Sequence, residues 1–148
     1  MIAVDTNILV YAHRPDSPWH APAKDRLREL AEGGRNWAIP WHCVHEFLGT
    51  VTHRRIYSPP TAIADAVRQV ELWKKSPTLH LLGETTGYWA VLSDLLVGAR
   101  VTGARVHDAR TAALCIHHRV AELWTADRDF SSFPGLLARN PLIPGRTN

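Results

Sequence analysis

The sequence predicts an α/β fold, a three-layer α/β/α sandwich built around a mostly parallel central sheet. Short apolar segments alternate along the chain with longer segments of helical periodicity, which is the pattern of parallel strands joined by right-handed helical crossovers. There is no internal repeat or low-complexity tract. Because 148 residues with 45% hydrophobic content suffice for one core, we expect a single domain over residues 1–148.

The first quarter of the chain contains two strands and one helix. Residues 1–4 are apolar and end at an acid, which predicts a strand that leads into a turn. A helix follows, with Ser17 as N-cap and Pro18 in its first turn, and it ends at the glycines at 33–34. Residues 37–39 then predict a second strand.

Two helices and a third strand follow. Residues 44–51 carry apolar side chains at i, i+3, i+4 and i+7, which predicts an amphipathic helix. The next helix opens at residues 59–61 and ends before Pro77, and residues 79–82 predict the third strand. The apolar stripe of this helix consists of Ile63, Val67, Val70 and Trp73.

The last third of the chain predicts two more helices and two strands. One helix ends near Gly103, and an alanine-rich helix covers residues 106–117. Residues 120–125 predict a fourth strand, residues 127–134 a turn or short helical piece, and residues 142–143 a final edge strand. In the helix that ends near Gly103, the apolar stripe predicted to face the core consists of Trp89, Leu92, Leu96 and Ala99.

Composition narrows the function classes. The first residues lack the features of a secretory signal, and no apolar run approaches the roughly 20 residues of a membrane span, so we expect a cytoplasmic protein. Cys43 and Cys115 lack zinc-site spacing and are expected to be reduced and buried. The net charge of +3 is modest, but if several acids share one pocket the remaining surface is more basic and suits RNA.

Polar residues lie where the first two strands end. Asp5, Thr6 and Asn7 directly follow the first strand, and in an open α/β sheet the site lies outside the carboxyl ends of the strands. The same residue types also serve as ordinary helix caps. Glu46 lies in the helix after the second strand, on the face opposite its apolar stripe, where a solvated glutamate is the common alternative.

Further acids occupy the second half of the chain. Asp108 begins the alanine-rich helix, where it is either a cap or a side chain aimed at the sheet edge. Asp127 follows the fourth strand after Thr125, and Asp129 lies two residues later. Each acid has an ordinary explanation alone; the order of all four along the chain indicates a common site.

These motifs together resemble the PIN domain, and specifically the VapC-type toxins of bacterial toxin–antitoxin pairs. The resemblance covers essentially the whole chain, through residues 4–7, Glu46, residues 106–109 and residues 125–130. It implies a single PIN-like domain and a Mg²⁺- or Mn²⁺-dependent endoribonuclease, usually a homodimer, whose cognate antitoxin covers the active site.

The resemblance also implies the site residues. It makes Asp5, Glu46, Asp108 and Asp127 the catalytic acids, with Thr6, Asn7 and Thr125 in support. In the family the fourth acid varies, so Asp129 is the alternative to Asp127.

The chemistry of these acids agrees with that implication. Clustered carboxylates need a compensating cation, and all-oxygen ligands favour Mg²⁺ or Mn²⁺ over Zn²⁺. Asp5 and Asp108 are assigned as principal metal ligands and Asp127 as a further ligand, directly or through water. Glu46 is assigned as a ligand or as the residue that orients the attacking water.

Two other functions share part of this pattern. A phosphatase of the haloacid-dehalogenase type also places a nucleophilic aspartate after the first strand, but it requires a second aspartate two residues later, where this chain has Asn7. A non-catalytic domain that binds RNA or a partner would not need all four acids.

Several basic and aromatic residues are candidates for contact with RNA. The basic candidates lie at residues 53–55 and 74–75 and at Arg100 and Arg105, each of which equally fits a solvated face. Trp73 and Trp89 belong to apolar stripes and are predicted to be core residues rather than base-stacking platforms.

Overall fold

A single five-stranded sheet organises the chain, in a computed structural model that describes residues 1–143. The strand order is β3-β2-β1-β4-β5, and all neighbouring strands pair in parallel. The strands are β1 (Ile2–Val4), β2 (Trp37–Pro40), β3 (Leu79–Leu82), β4 (Glu122–Trp124) and β5 (Ala138–Arg139).

Helices cover both faces of this sheet. They are α1 (Thr6–His13), α2 (His20–Glu32), α3 (Trp41–Val51), α4 (Ile63–Lys74), α5 (Tyr88–Gly98) and α6 (Arg105–His117). Side chains of a strand point alternately to opposite faces. Accordingly, Ile2 and Val4 pack in the cluster formed with α1 to α4, whereas Ala3 packs in the cluster formed with α5 and α6. The structure therefore confirms the predicted three-layer α/β/α sandwich.

Small side chains bring α6 close to the sheet. Ala109, Ala112 and Ala113 of α6 are fully buried in the same cluster as Ala3 and Ala38 of the central strands. Alanine against alanine allows a helix to approach a sheet more closely than larger residues would. This packing holds the first turn of α6, including Asp108, near the sheet.

Helix α1 was not predicted from the sequence. The sequence predicts only a turn after the first strand, but residues 6–13 form a helix that begins directly after β1. Ile8, Leu9 and Val10 are consecutive and all buried, so the apolar residues of this short helix show no helical period. Two of these residues are β-branched, which further weakens the local helix signal.

Several boundaries also differ from the predictions: α4 begins at Ile63 rather than at residues 59–61, and α5 ends at Gly98 rather than near Gly103. Helix α2 begins at His20 rather than at Pro18, and the Ser17 hydroxyl instead accepts a hydrogen bond from the Trp19 backbone at 3.1 Å. The last strand is β5 at Ala138–Arg139, so its placement at residues 142–143 was wrong. Leu142 is buried, and its apolar character reflects core packing rather than strand pairing.

Of the two tryptophans predicted to be core residues, one is buried and the other is exposed. Trp73 is buried as predicted, but Trp89 is 70% exposed, and α5 buries Tyr88 and Leu95 instead. Helix α5 is apolar almost all round, so periodicity could not select its inner face. In α4, likewise, Ile63 and Val67 of the predicted apolar stripe are exposed, whereas Val70 and Trp73 are buried.

Two further features concern the cysteines and the helices. Cys43 and Cys115 are free and fully buried, as expected from their sequence context. Within residues 1–143, no helix is both long and apolar enough to cross a membrane.

Candidate active site

A cavity of about 370 Å³ opens at the carboxyl edge of the central strands. It lies where α1 leaves β1, α3 leaves β2, and the chain leaves β4, while the first turn of α6 approaches from the other layer. The predicted site residues that line it are Asp5, Thr6, Asn7, Glu46, Asp108 and Asp127. Residues more than 100 positions apart are thus brought together as predicted.

Asp5 ends β1, caps α1 and faces this cavity. Its side chain is 7% exposed. One carboxylate oxygen accepts a hydrogen bond from the Thr6 backbone at 2.7 Å, and the other accepts from the Asn7 amide at 2.8 Å and from the Thr125 hydroxyl at 2.7 Å. The carboxylate therefore has a fixed orientation.

Thr125 and Asn7 connect the turn after β1 with the chain after β4. Thr125, which is 2% exposed, accepts hydrogen bonds at its hydroxyl from the Asn7 amide at 3.1 Å and from the Asp127 backbone at 3.0 Å. The Asn7 side-chain oxygen accepts from the Ala126 backbone at 3.0 Å. Thr125 thus supports Asp5 from behind the cavity, without lining it.

Glu46 is tied to the same strand end. The Thr6 hydroxyl donates a hydrogen bond to a Glu46 carboxylate oxygen at 2.7 Å. Because Glu46 lies on the exposed face of α3, this bond is what orients its carboxylate toward the cavity.

Asp108 lines the cavity from the first turn of α6. The N-cap position of that helix belongs to Ala104, and no side chain caps the helix. The alternative in which Asp108 is a helix cap is therefore wrong for this structure.

Asp127 and Asp129 have different positions. Asp127 lines the cavity and caps a short 3₁₀ helix at Arg128–Ser132, where its carboxylate accepts a hydrogen bond from the Asp129 backbone at 2.9 Å. Asp129 lies within that helix and does not belong to the cavity wall.

The carboxylates repel one another electrostatically. Burial, together with the charges of Glu46 and Asp127, raises the pKa of Asp5 to about 6, despite hydrogen bonds from Thr125 and Thr6 that oppose the shift. Burial and the charges of Asp127, Asp129 and Glu46 likewise raise the pKa of Asp108, although Arg105 acts in the opposite direction. A bound cation would relieve this repulsion.

A buried contact that sequence reasoning missed joins the helices carrying Glu46 and Asp108. The His42 ring of α3 hydrogen-bonds the Thr111 hydroxyl of α6 at 2.7 Å. His42 precedes Glu46 by four residues and Thr111 follows Asp108 by three, so the contact lies one helical turn from each acid. It sets the spacing of the two helices beside the cavity. The two residues are 69 positions apart, and neither belongs to a recognisable motif.

Burial has a strong effect on His42. The side chain is 4% exposed, and desolvation is the main cause that lowers its pKa to about 4, with a further contribution from the charge of Arg110. The ring is therefore neutral at physiological pH, and it acts as a structural hydrogen-bonding group.

The donor set suits a hard divalent cation. The cavity offers carboxylate, hydroxyl and amide oxygens, which Mg²⁺ and Mn²⁺ prefer over the sulfur and imidazole ligands of zinc sites. In the part of the chain from 1 to 143, no three His, Cys, Asp or Glu side chains are close enough to hold one ion between them. Mg²⁺ keeps several water ligands and uses one or two carboxylates directly, so an open arrangement of this kind fits it.

Asn7 occupies the position at which phosphatases of the haloacid-dehalogenase type require a second aspartate, and the structure gives it a different role. Its amide donates to Asp5 and its oxygen accepts from the backbone of Ala126. It orients the neighbouring carboxylate and, as an amide, has no proton to exchange as a general acid.

Comparison with known proteins gives a consistent family. The model of the PIN domain family matches residues 2–136. Ribonuclease VapC48 of Mycobacterium tuberculosis is 32% identical over 137 residues, which cover 93% of this chain and 94% of that protein. VapC ribonuclease Mb2897 of Mycobacterium bovis is 32% identical over 142 residues, covering 96% of each.

Two solved structures share the fold. One is VapBC2 from Rickettsia felis bound to a DNA fragment from their promoter, with a TM-score of 0.68 and 20% identity, covering 94% of this chain and 98% of that one. The other is VapC20 of Mycobacterium tuberculosis, described as a Sarcin-Ricin loop cleaving toxin, with a TM-score of 0.65 and 18% identity, covering 89% and 94%.

Asp5 and His42 should make opposite contributions to the pH dependence of stability in the metal-free protein. The pKa of Asp5 rises on folding from 3.8 to about 6, so its contribution to the free energy of unfolding falls as pH rises through that range. The pKa of His42 falls from 6.5 to about 4, so its contribution increases with pH. We expect Asp5→Asn to gain stability with rising pH relative to wild type, and His42→Leu to lose it.

Each slope should reach at most about 1.4 kcal/mol per pH unit. Urea denaturation in EDTA across this pH range measures it, and the slope rather than the absolute stability is compared, since both variants also lose hydrogen bonds. Asp25→Asn, at an exposed acid of α2, is the control. Wild-type slopes in both variants would contradict the electrostatic description.

Asp108→Asn should raise the melting temperature of the metal-free protein. The pKa of Asp108 is raised, so its surroundings favour the uncharged form, and asparagine removes the repelled charge without loss of a cap. Mg²⁺ should then stabilise the wild type more than the variant, because a ligand stabilises only in proportion to its affinity for the folded state. The measurement is thermal melting in EDTA and in Mg²⁺, with the exposed acid variant Asp94→Asn as control. A lower melting temperature in EDTA together with an undiminished gain from Mg²⁺ would exclude Asp108 from a metal site.

Proposed function

The chain belongs to the PIN-domain family, and we propose that it is a Mg²⁺- or Mn²⁺-dependent endoribonuclease that acts as the toxin of a toxin–antitoxin pair. The observation that carries this proposal is the convergence of four carboxylates on one cavity. Asp5, Glu46, Asp108 and Asp127 come from four separate parts of the chain and meet at the carboxyl edge of a parallel sheet. The relatives named as ribonucleases support RNA as the substrate.

In this proposal Asp5 and Asp108 would be the principal ligands of the cation, and Asp127 would contribute through a bound water, since no three of these side chains are close enough to share one ion directly. When bound, the cation neutralises charge on the phosphate and makes water a better nucleophile at neutral pH. Asp5 is the most rigid of the three, since Thr6, Asn7 and Thr125 all donate hydrogen bonds to it. These donors also favour its ionised form and so counteract the pKa increase that burial causes.

Glu46 orients the attacking water. Its carboxylate is anchored through one oxygen by the Thr6 hydroxyl, and the group faces the cavity beside Asp5. Hydrolysis adds the water oxygen to phosphorus, breaks one P–O bond of the backbone, and transfers a proton to the leaving oxygen. The position of Glu46 suits it to accept the proton that the attacking water loses.

The surface charge is compatible with an RNA substrate. The chain has 17 Lys and Arg against 14 Asp and Glu, and four of those acids line one cavity. The remaining surface is therefore more basic than the net charge of +3 indicates. Association with RNA through basic side chains is expected to weaken as salt concentration rises.

The proposal includes partners and a compartment. VapC20, one of the structural neighbours, is described as a toxin, and we propose a cognate antitoxin for this chain and a cytoplasmic location, where RNA is available. We also propose a homodimer. Trp89 and Val97 on α5 are 70% and 79% exposed, and they are candidates for burial between two copies.

A phosphatase of the haloacid-dehalogenase type is not favoured. Such an enzyme needs an acid at position 7, and Asn7 is instead committed to hydrogen bonds with Asp5, Thr125 and the backbone of Ala126. A non-catalytic domain is also disfavoured, because binding alone does not require four carboxylates on one cavity.

The purified protein, freed of any antitoxin, should cleave structured RNA with Mg²⁺ or Mn²⁺ and should be inactive in excess EDTA. Without a cation the clustered carboxylates repel the phosphate. The rate is followed by gel electrophoresis of a labelled RNA. Asp5→Asn should lower it by more than about 100-fold, since loss of even an outer-shell partner costs 10–100-fold. Cleavage that EDTA leaves unchanged would refute metal dependence.

Asp127 should matter more than Asp129. Asp127 lines the cavity, whereas Asp129 is part of the 3₁₀ helix beside it. We expect Asp127→Asn to abolish cleavage and Asp129→Asn to retain most of it, when both are compared in one assay with the wild type. An inactive Asp129→Asn beside an active Asp127→Asn would reverse the assignment of the fourth acid.

A further inference from the structure

The cavity extends beyond the carboxylates to an aromatic wall. Tyr11 follows Asn7 on α1 by four residues, so it lies one helical turn further along the same face. Thr50 follows Glu46 on α3 in the same way, and Tyr57 lies in the segment that leaves α3. Tyr11, Thr50 and Tyr57 all line the cavity. The proposed chemistry uses none of them.

We propose that Tyr11 and Tyr57 form a subsite for the base of a nucleotide next to the scissile phosphodiester. The inference rests on the proposed ribonuclease function and extends it to a substrate-binding site. Aromatic side chains bind bases of single-stranded RNA by stacking, because every base offers a flat π-face. A cavity of about 370 Å³ is large enough to admit a base beside the carboxylates.

A buried arginine fixes the position of Tyr57. The Arg14 guanidinium lies 4.1 Å from the centroid of the Tyr57 ring, in cation–π contact. Arg14 is 8% exposed and is itself held by two hydrogen bonds to Asp16, at 2.9 and 2.6 Å, and by one to the Pro59 carbonyl at 3.2 Å. A ring held in this way loses little freedom when a base binds, which favours affinity.

The segment between α3 and α4 is anchored at its far end as well. The Thr61 backbone donates a hydrogen bond to the Val51 carbonyl at 2.8 Å, and the Thr61 hydroxyl accepts one from Arg14 at 3.3 Å. The His13 ring contacts the same hydroxyl at 3.2 Å. Tyr57 is therefore presented by a loop that is bound to α1 at several points.

The same loop carries positive charge next to the aromatic wall. Arg54 and Arg55 precede Tyr57 by three and two residues and are both exposed. Neither forms an ion pair with any part of the chain that the structure describes. This arrangement matches the parts of a nucleotide chain. The arginines suit the flanking phosphates, the aromatic rings suit a base, and the acidic cluster beside them is compatible with a metal ion.

Lys74 and Lys75 provide a matched basic pair elsewhere. They lie at the end of α4, and the next residue, Ser76, contacts the Trp37 side chain at the start of β2. This is the amino edge of the sheet, opposite the cavity. In the sequence this pair and residues 53–55 are equivalent candidates for RNA contact, and the structure distinguishes them by position.

The experiment compares Tyr57→Leu and Tyr57→Phe on RNA with and without a base. After the cleavage site of the wild type has been mapped by sequencing RNA ends, the RNA is synthesised intact and with one abasic ribonucleotide at each position flanking the cut. On intact RNA, Tyr57→Leu should lower kcat/KM by about 5- to 150-fold, the range of a lost base–aromatic stack, and Tyr57→Phe should stay near wild type. Tyr11→Leu and Tyr11→Phe should behave in the same way.

The abasic RNA separates base binding from a structural role. At one flanking position, removal of the base should slow the wild type by a similar factor and should abolish the difference between wild type and Tyr57→Leu. A Tyr57→Leu defect of equal size on intact and abasic RNA would overturn the proposal, and so would the absence of any defect. A Tyr57→Leu variant that cleaves RNA normally but escapes inhibition by its antitoxin would overturn it too, and would assign the wall to a protein partner.

A second measurement keeps this inference separate from the proposed function. If the wild type cleaves no RNA with Mg²⁺ or Mn²⁺, the proposed function fails, and the subsite is judged by equilibrium binding of an intact single-stranded oligoribonucleotide and of its fully abasic counterpart, neither of which requires a mapped cleavage site. Tyr57→Leu should then weaken binding by the same factor on intact RNA only, and equal binding by wild type and variant would refute the subsite. Replacement of Arg54 and Arg55 by glutamine should reduce the salt dependence of binding, whereas the matched Lys74→Gln, Lys75→Gln control should not.

Discussion

The buried carboxylate of Asp5 is the group on which the site depends. It terminates β1, caps α1 and faces the cavity, and it is held by Thr6 and Asn7 from its own turn and by Thr125 from the end of β4. Those hydrogen bonds join two neighbouring strands at their carboxyl ends. Since Asp127 follows Thr125 by two residues and donates its own backbone N–H to the Thr125 hydroxyl, the position of one acid determines that of the next.

The clustering of acidic side chains at this edge lowers the free energy of unfolding, and the surrounding structure has to offset that loss. Burial and neighbouring charges raise the pKa values of Asp5 and Asp108, which means that the ionised site is less stable than the same groups in water. The offset comes from apolar packing on both faces of the sheet and from the buried contact of His42 with Thr111. A bound cation would reduce the repulsion between these carboxylates and so raise the free energy of unfolding. Metal affinity and folding stability are therefore linked.

Helices α1 and α3 each contribute to both sides of the cavity. The first turn of α1 provides Thr6 and Asn7, and the next turn provides Tyr11, while α3 provides Glu46 and then Thr50. One helical turn therefore separates groups suited to phosphate chemistry from groups suited to binding the rest of a nucleotide. Because the helices pack against one sheet, the two sets of groups keep a fixed distance without a separate recognition domain.

The sequence by itself determined the fold class, most of the strands and the positions of the acids, because these depend on local patterns: apolar runs, helical spacing, and an acid where a strand ends. Tertiary structure decided the rest. The buried residues of α1 are consecutive, and α5 is apolar on almost all sides, so the orientation of both helices depends on what packs against them. The contact of His42 with Thr111 and the cation–π contact of Arg14 with Tyr57 join separate segments through single atoms or rings. Such contacts leave no periodic trace in a sequence, because they arise only once the sheet has brought distant segments to one edge.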